Sequence, residues 1–267
     1  MNPSSNSKDS RTQHRESSNP LASRLLNFSQ AKIPWLSMLI SVITQNVVWW
    51  VYPLIYSNRL VSGQIQHNPL LLTYSIILSL AIFLTFNRNF AQWFNYIVIL
   101  VPLLFLYFLY KHFTGQQVML LTLLPLALLL INIPGLNLKN ILGLILYSGI
   151  AALVMPVVIF YQQNTFLTQP FLLSLFPLFF SYLFFMSSLF VPEGRNKRLT
   201  SLVFGIILLI NVLALDWNLW MFLGVLIIVF TWLVLINLNL KQRYQMTFFT
   251  VLQTLTIMII FLQQLQK

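Results

Sequence analysis

The chain has 267 residues, of which 58% are hydrophobic and only 7% charged, and its mean hydropathy is +0.80. A soluble domain carries about 25% charged residues, so this composition excludes both an ordinary soluble fold and a disordered chain and leaves an all-α polytopic membrane protein. The net charge of +11 comes from 15 Lys and Arg against 4 Asp and Glu. No extramembrane stretch is both basic and aromatic enough to form a binding surface, so nucleic acid is not an expected partner. Cysteine is absent, which excludes disulfides, thiolate metal sites and thiol nucleophiles.

Residues 1–20 are rich in Ser, Asn, Arg and Gln, with no aliphatic side chain between Met1 and Leu21. Such a segment buries too little apolar surface to order itself and reads as a disordered polar tail. Residues 21–32 place Leu21, Leu25, Leu26 and Phe28 at helical spacing beside Arg24 and Lys32. This pattern predicts a short interfacial helix whose basic groups reach lipid phosphates.

Residues 33–267 form the expected helical transmembrane domain. About 20 apolar residues cross a bilayer, and on that measure nine spans are expected. They are Ile33–Tyr56, Pro69–Phe86, Asn95–Tyr110, Val118–Pro134, Ile141–Tyr161, Phe171–Val191, Leu199–Leu215, Leu219–Leu238 and Met246–Gln263. Polar or charged breaks separate them; the shortest is Asp216–Trp217–Asn218.

Alternating the sides from a cytoplasmic N-terminus puts Lys8, Arg11, Arg15, Arg24, Lys32, Arg88, Lys139, Arg195, Lys197, Arg198, Lys241 and Arg243 inside. Only Arg59, Lys111 and Lys267 fall outside. That asymmetry follows the positive-inside rule and predicts a cytoplasmic N-terminus and an outer C-terminus. The expected location is a bacterial plasma (inner) membrane. Trp49, Trp50, Tyr52 and Tyr56, near the end of the first span, read as an aromatic belt at headgroup level. Tyr147 and Tyr182, near span centres, read as packing residues.

The same inventory limits the chemistry. The longest expected loop is Ser57–Asn68, so any site lies between helices or at their mouths. The four acids are Asp9, Glu16, Glu193 and Asp216, and the three histidines are His14, His67 and His112. None lies near a span centre, so proton relays and general acid–base pairs lack their usual groups. No catalytic residue, metal site or cofactor is expected, and the chain reads as non-enzymatic.

What remains at depth is uncharged. Ser37, Ser41, Thr44 and Gln45 share one face of the first span, with Asn46 adjacent. Thr247, Thr250, Gln253 and Thr254 share one face of the ninth. An unpaired amide in hydrocarbon costs several kcal/mol, so Gln45, Asn46 and Gln253 should point into protein and are the candidate intramembrane polar positions. Ser174, Ser181 and Ser188, and likewise Gly149, Ala152 and Pro156, set small residues on one face for close helix packing. Pro102, Pro125, Pro156 and Pro177 fall well inside the third to sixth spans as candidate helix kinks.

Two functional readings follow. One is a membrane-embedded subunit or scaffold of a larger assembly, whose partners are membrane lipids and another membrane protein. The other is a permease or channel-like component for an uncharged or lipophilic substrate, with the proline-bearing helices around a cavity.

Overall fold

The computed structural model describes residues 34–60, 68–87, 93–164, 166–191, 195–237 and 242–264. The polar tail, the expected interfacial helix, His14 and His67 lie outside these residues. The described chain falls in one compact unit from Trp35 onward, and its regular structure is helical.

The helices are α1 (Trp35–Leu60), α2 (Pro69–Asn87), α3 (Trp93–Tyr110), α4 (Gly115–Asn132), α5 (Ile141–Asn164), α6 (Gln169–Ser174), α7 (Phe176–Phe185), α8 (Ser187–Phe190), α9 (Arg195–Leu213), α10 (Leu219–Asn237) and α11 (Gln242–Gln264). Among the described residues, six helical stretches are long and apolar enough to cross a membrane: Trp35–Ser57, Pro69–Asn87, Trp93–Tyr110, Gly115–Asn132, Ile141–Asn164 and Tyr244–Gln264. Gln169–Phe185 and Leu219–Leu235 are shorter apolar stretches. The chain is a multi-span helical membrane protein.

Helix starts are fixed by asparagine. Asn68 Oδ1 accepts the backbone N–H groups of Leu70 and Leu71 at 3.2 and 3.3 Å. Asn140 Oδ1 accepts that of Gly143 at 3.1 Å, and Asn218 Oδ1 that of Met221 at 2.9 Å. Each side chain satisfies amide donors that the first helical turn leaves without an intrahelical partner. The turn before α5 is tighter still. Pro134–Leu136 form a 3₁₀ turn, and Asn137 adopts a left-handed φ of 44°. A Cβ on Gly143 would stand 1.8 Å from the Leu138 carbonyl oxygen, so only glycine fits that approach.

The helices close into two rings that share a wall. In the first, α1 to α5 pack in sequence order and α5 returns to α1. In the second, α7 packs on α9, α9 on α10, α10 on α11, and α11 back on α7. Between the rings, α1, α5, α7 and α11 pack around a common centre, each against the next. Fully buried aromatic residues fill the interior: Trp49 of α1, Tyr147 and Phe160 of α5, Tyr182 and Phe184 of α7, and Tyr74 and Phe83 of α2. The outer faces of α3 and α10 carry exposed apolar side chains such as Leu104, Tyr107, Phe222 and Leu226.

Three features differ from the sequence expectations. The expected sixth span, Phe171–Val191, is not one helix. It breaks at Leu175 and again at Met186. Pro177 explains the first break, since it lies in the first turn of α7 and has no N–H to continue the ladder. Second, α1 runs to Leu60, past the expected end at Tyr56, so Trp49 and Tyr52 are interior to it and are fully buried in the protein. Third, α1 also contains Pro53, a helix-interior proline beside the four singled out above.

Candidate functional site

The strongest concentration of buried polar groups lies where α1, α5, α7 and α11 meet. The polar stripes of α1 and α11 face one another and pair along their length. Thr247 Oγ1 donates to the Ser37 carbonyl at 3.0 Å, and Ser41 and Thr250 hydroxyls lie 3.5 Å apart. Farther along, Thr254 Oγ1 donates to the Thr44 carbonyl at 3.3 Å. A helix whose apolar surface matches lipid on every side gains little from the hydrophobic effect in choosing a neighbour. These threonines and serines supply the choice.

The two glutamines do not meet each other. Both turn to consecutive residues of α7. The Gln45 side-chain amide donates to the Tyr182 hydroxyl, and Gln253 Nε2 donates to Ser181 Oγ at 3.1 Å. Gln45 is 3% exposed and Gln253 1%, so neither amide faces lipid. Trp49, one turn above Gln45, donates its indole N–H to the Ala151 carbonyl of α5 at 3.1 Å. All four central helices are thereby joined by side-chain hydrogen bonds.

Asn46 belongs to a different seam, between α1 and α2. Its Nδ2 donates to the Val42 carbonyl at 2.8 Å and to Ser79 Oγ at 3.0 Å, and its Oδ1 accepts from Ser75 Oγ at 2.6 Å. Trp50 Nε1 donates to the same serine at 3.0 Å. Asn46 is half-buried, the outermost of the three candidate amides.

Aromatic layers lie on both sides of the central pairs. Toward the C-terminal end of α1, the Tyr52 ring stacks on Phe261 with centroids 3.8 Å apart, and Phe160 stacks on Phe171 at 3.9 Å. Tyr56 edges Phe160 at 5.9 Å. On the other side, Phe86, Tyr147 and Phe190 form a triangle with centroid separations of 5.0, 5.4 and 5.7 Å. Tyr147 also meets Tyr182 edge-on at 5.9 Å. The Tyr147 hydroxyl and Ser148 Oγ are buried without a hydrogen-bond partner.

The candidate kink residues are placed as follows. Pro102 lies inside α3, Pro125 inside α4 and Pro156 inside α5, while Pro177 begins α7; all four are buried. Only α5 and α7 reach the central quartet, so these prolines do not surround a single point. Asp216 lies exposed in the turn between α9 and α10, and His112 is exposed after α3. Among the described residues, no three His, Cys, Asp or Glu side chains gather as a metal-ion cluster would require.

Sequence reasoning missed Tyr182, Ser181 and Trp49 as members of the polar centre. For Tyr182 a signal existed. A tyrosine at mid-span brings a hydroxyl that needs a partner, and the mid-span amides Gln45 and Gln253 need acceptors. Compared with known proteins, the chain matches no family model, no curated protein and no solved structure.

Proposed function

We propose that this protein is a non-enzymatic, membrane-embedded subunit or scaffold of a larger assembly. One observation carries the reading: Gln45, Trp49 and Gln253 at the centre of the bundle pair with groups on α5 and α7, and aromatic rings occupy the space around them. Gln45, Trp49, Tyr147, Tyr182 and Gln253 are all buried, so side chains, rather than a path for solute, occupy the middle of the central quartet. Residues 35–57, 141–164, 176–185 and 244–264 also contain no Asp, Glu, His, Lys or Arg. Ion- and proton-coupled carriers place such groups at depth, and acid–base catalysis needs them.

In this reading the chain crosses the bacterial plasma membrane nine times, with the helices α6 to α8 making one crossing. The N-terminus is cytoplasmic and the C-terminus outside, supported by the uneven distribution of Lys and Arg. A Ser5→Cys variant of this cysteine-free chain should resist an impermeant thiol reagent in intact cells and react after permeabilisation. Labelling in intact cells overturns the orientation.

The functional test is purification of the tagged chain in mild detergent, with native mass measurement. A subunit should run as a discrete complex heavier than its own 31.1 kDa plus detergent, with a second membrane polypeptide at fixed stoichiometry. A lone chain that carries uncharged solutes into proteoliposomes would establish the permease reading instead.

A further inference from the structure

The crossing that holds both glutamines in place is the one that is broken. At Leu175 the backbone N–H reaches back three residues, to the Leu172 carbonyl at 3.2 Å; at the second break Met186 keeps the full-turn bond to the Tyr182 carbonyl at 3.0 Å, and the tightening comes at Leu189, which reaches Met186 at 3.0 Å. Both break residues have ψ near zero, −9° at Leu175 and −6° at Met186. Tightened turns of this kind inside a helix weaken the ladder and commonly mark hinges. Between them stands α7, ten residues long and intact. Ser181 and Tyr182 lie in its second half, each accepting one amide from a neighbouring helix.

Polar satisfaction around α7 is uneven. Its own hydroxyls are paired, yet the Tyr147 hydroxyl, whose ring packs on Tyr182, has no partner, and neither does Ser188 Oγ just beyond the Met186 break. A buried hydroxyl without a partner costs about 1–3 kcal/mol. A shift of α7 that gave these hydroxyls partners would recover that cost.

We propose that α7 moves as one unit on the turns at Leu175 and Met186, and that Gln45 and Gln253 are the latches holding it against α1 and α11. The latch on α1 closes on Tyr182 and the latch on α11 on Ser181. Releasing them frees α7 without disturbing the pairing of α1 with α11, because that seam uses different side chains: Ser37, Ser41, Thr247 and Thr250.

Hydrogen exchange of the full chain in mild detergent, read by mass spectrometry, tests this. In a Gln45→Leu/Gln253→Leu variant, amides 178–186 should exchange at least tenfold faster than in the unaltered chain, while those of 144–160 in α5 stay within twofold. Unchanged exchange in α7, or an equal rise across α1, α5, α7 and α11, overturns the proposal. The second result would mean that the glutamines hold the whole bundle. If the double variant does not yield monodisperse protein, Tyr182→Phe removes one acceptor and adds no volume. It should speed exchange of the same amides at least threefold, and no change there overturns the proposal equally.

Discussion

Helices α10 and α11 are neighbours in sequence and pack against each other, yet they are held by different means. α11 turns Thr247, Thr250, Gln253 and Thr254 onto α1 and α7, and each of these side chains makes a hydrogen bond. On α10, the buried Thr231 hydroxyl bonds back to the Ile227 carbonyl of its own helix. Its outward face is apolar, with Leu219, Trp220, Phe222 and Leu226 all more than half exposed. α10 is positioned by shape. A Cβ on Gly224 would meet Val212 Cγ1 at 3.2 Å, so the missing side chain lets α10 approach α9 closely. Polar pairs thus select the neighbours of the central helices, while the rim helix is seated by steric fit along its length and by a polar contact at its start, where Asn218 Oδ1 accepts from Gln263 Nε2 of α11 at 2.5 Å.

The comparison breaks most visibly if the centre tolerates truncation as well as the rim does. Trp49 is wholly buried and hydrogen-bonded to α5, so Trp49→Ala should cost about 3–5 kcal/mol. Trp220→Ala, on the exposed face of α10, should stay within about 0.5 kcal/mol. Unfolding by denaturing detergent in mixed micelles measures both, and equal losses would erase the distinction between centre and rim.

Two glycines sharpen it. Gly143 opens a central helix against a backbone carbonyl, which cannot move aside, so Gly143→Ala should cost about 1–3 kcal/mol through forced backbone shifts. Gly224→Ala in α10 meets side chains alone, those of Val212 and Ile259, and its cost should be clearly smaller in the same assay.

The polar contacts of α11 come next. Gln253→Leu, which removes the bond to Ser181 of α7, should cost about 1–2 kcal/mol or less. A double-mutant cycle between Ser41→Ala and Thr250→Ala should return a coupling of about 0.6 kcal/mol. A zero coupling would mean that this pair adds nothing beyond packing to the seam between α1 and α11.

These contrasts follow what was legible in the sequence. Apolar runs bounded by Asn-Pro, Asn-Ile and Asn-Leu located the starts of α2, α5 and α10, because asparagine caps helices for a local reason. The stripes on α1 and α11 were legible as faces, because a 3.6-residue period is local too. That they face each other was not, since helix order is a long-range property on which the spacing of serines and threonines is silent. The break at Met186 was likewise invisible: no proline or glycine stands there. On the burial of Trp49 and Tyr52 against α5 and α11 the sequence was silent, because tryptophan and tyrosine suit both a headgroup belt and a buried site with a carbonyl to bond.

The smallest expected effect concerns the outward face of α10. Phe222, Val225, Leu226, Val229, Phe230 and Leu233 line an open apolar groove of about 310 Å³. If lipid covers this face, Phe222→Ala exchanges one lipid contact for another and should change stability by less than about 0.5 kcal/mol. It should also leave the native mass of any complex unchanged. If a partner helix seats in the groove, the same truncation leaves stability of the isolated chain untouched but removes a large aromatic anchor from the interface. Such anchors commonly carry about 2 kcal/mol or more of binding, so the complex should dissociate at dilutions that the unaltered chain withstands. Native mass against dilution therefore separates the two. Lipid is the expected outcome, because Thr231 is turned inward and already bonded, which leaves Trp220, in the first turn of the helix, as an indole donor on the outward face.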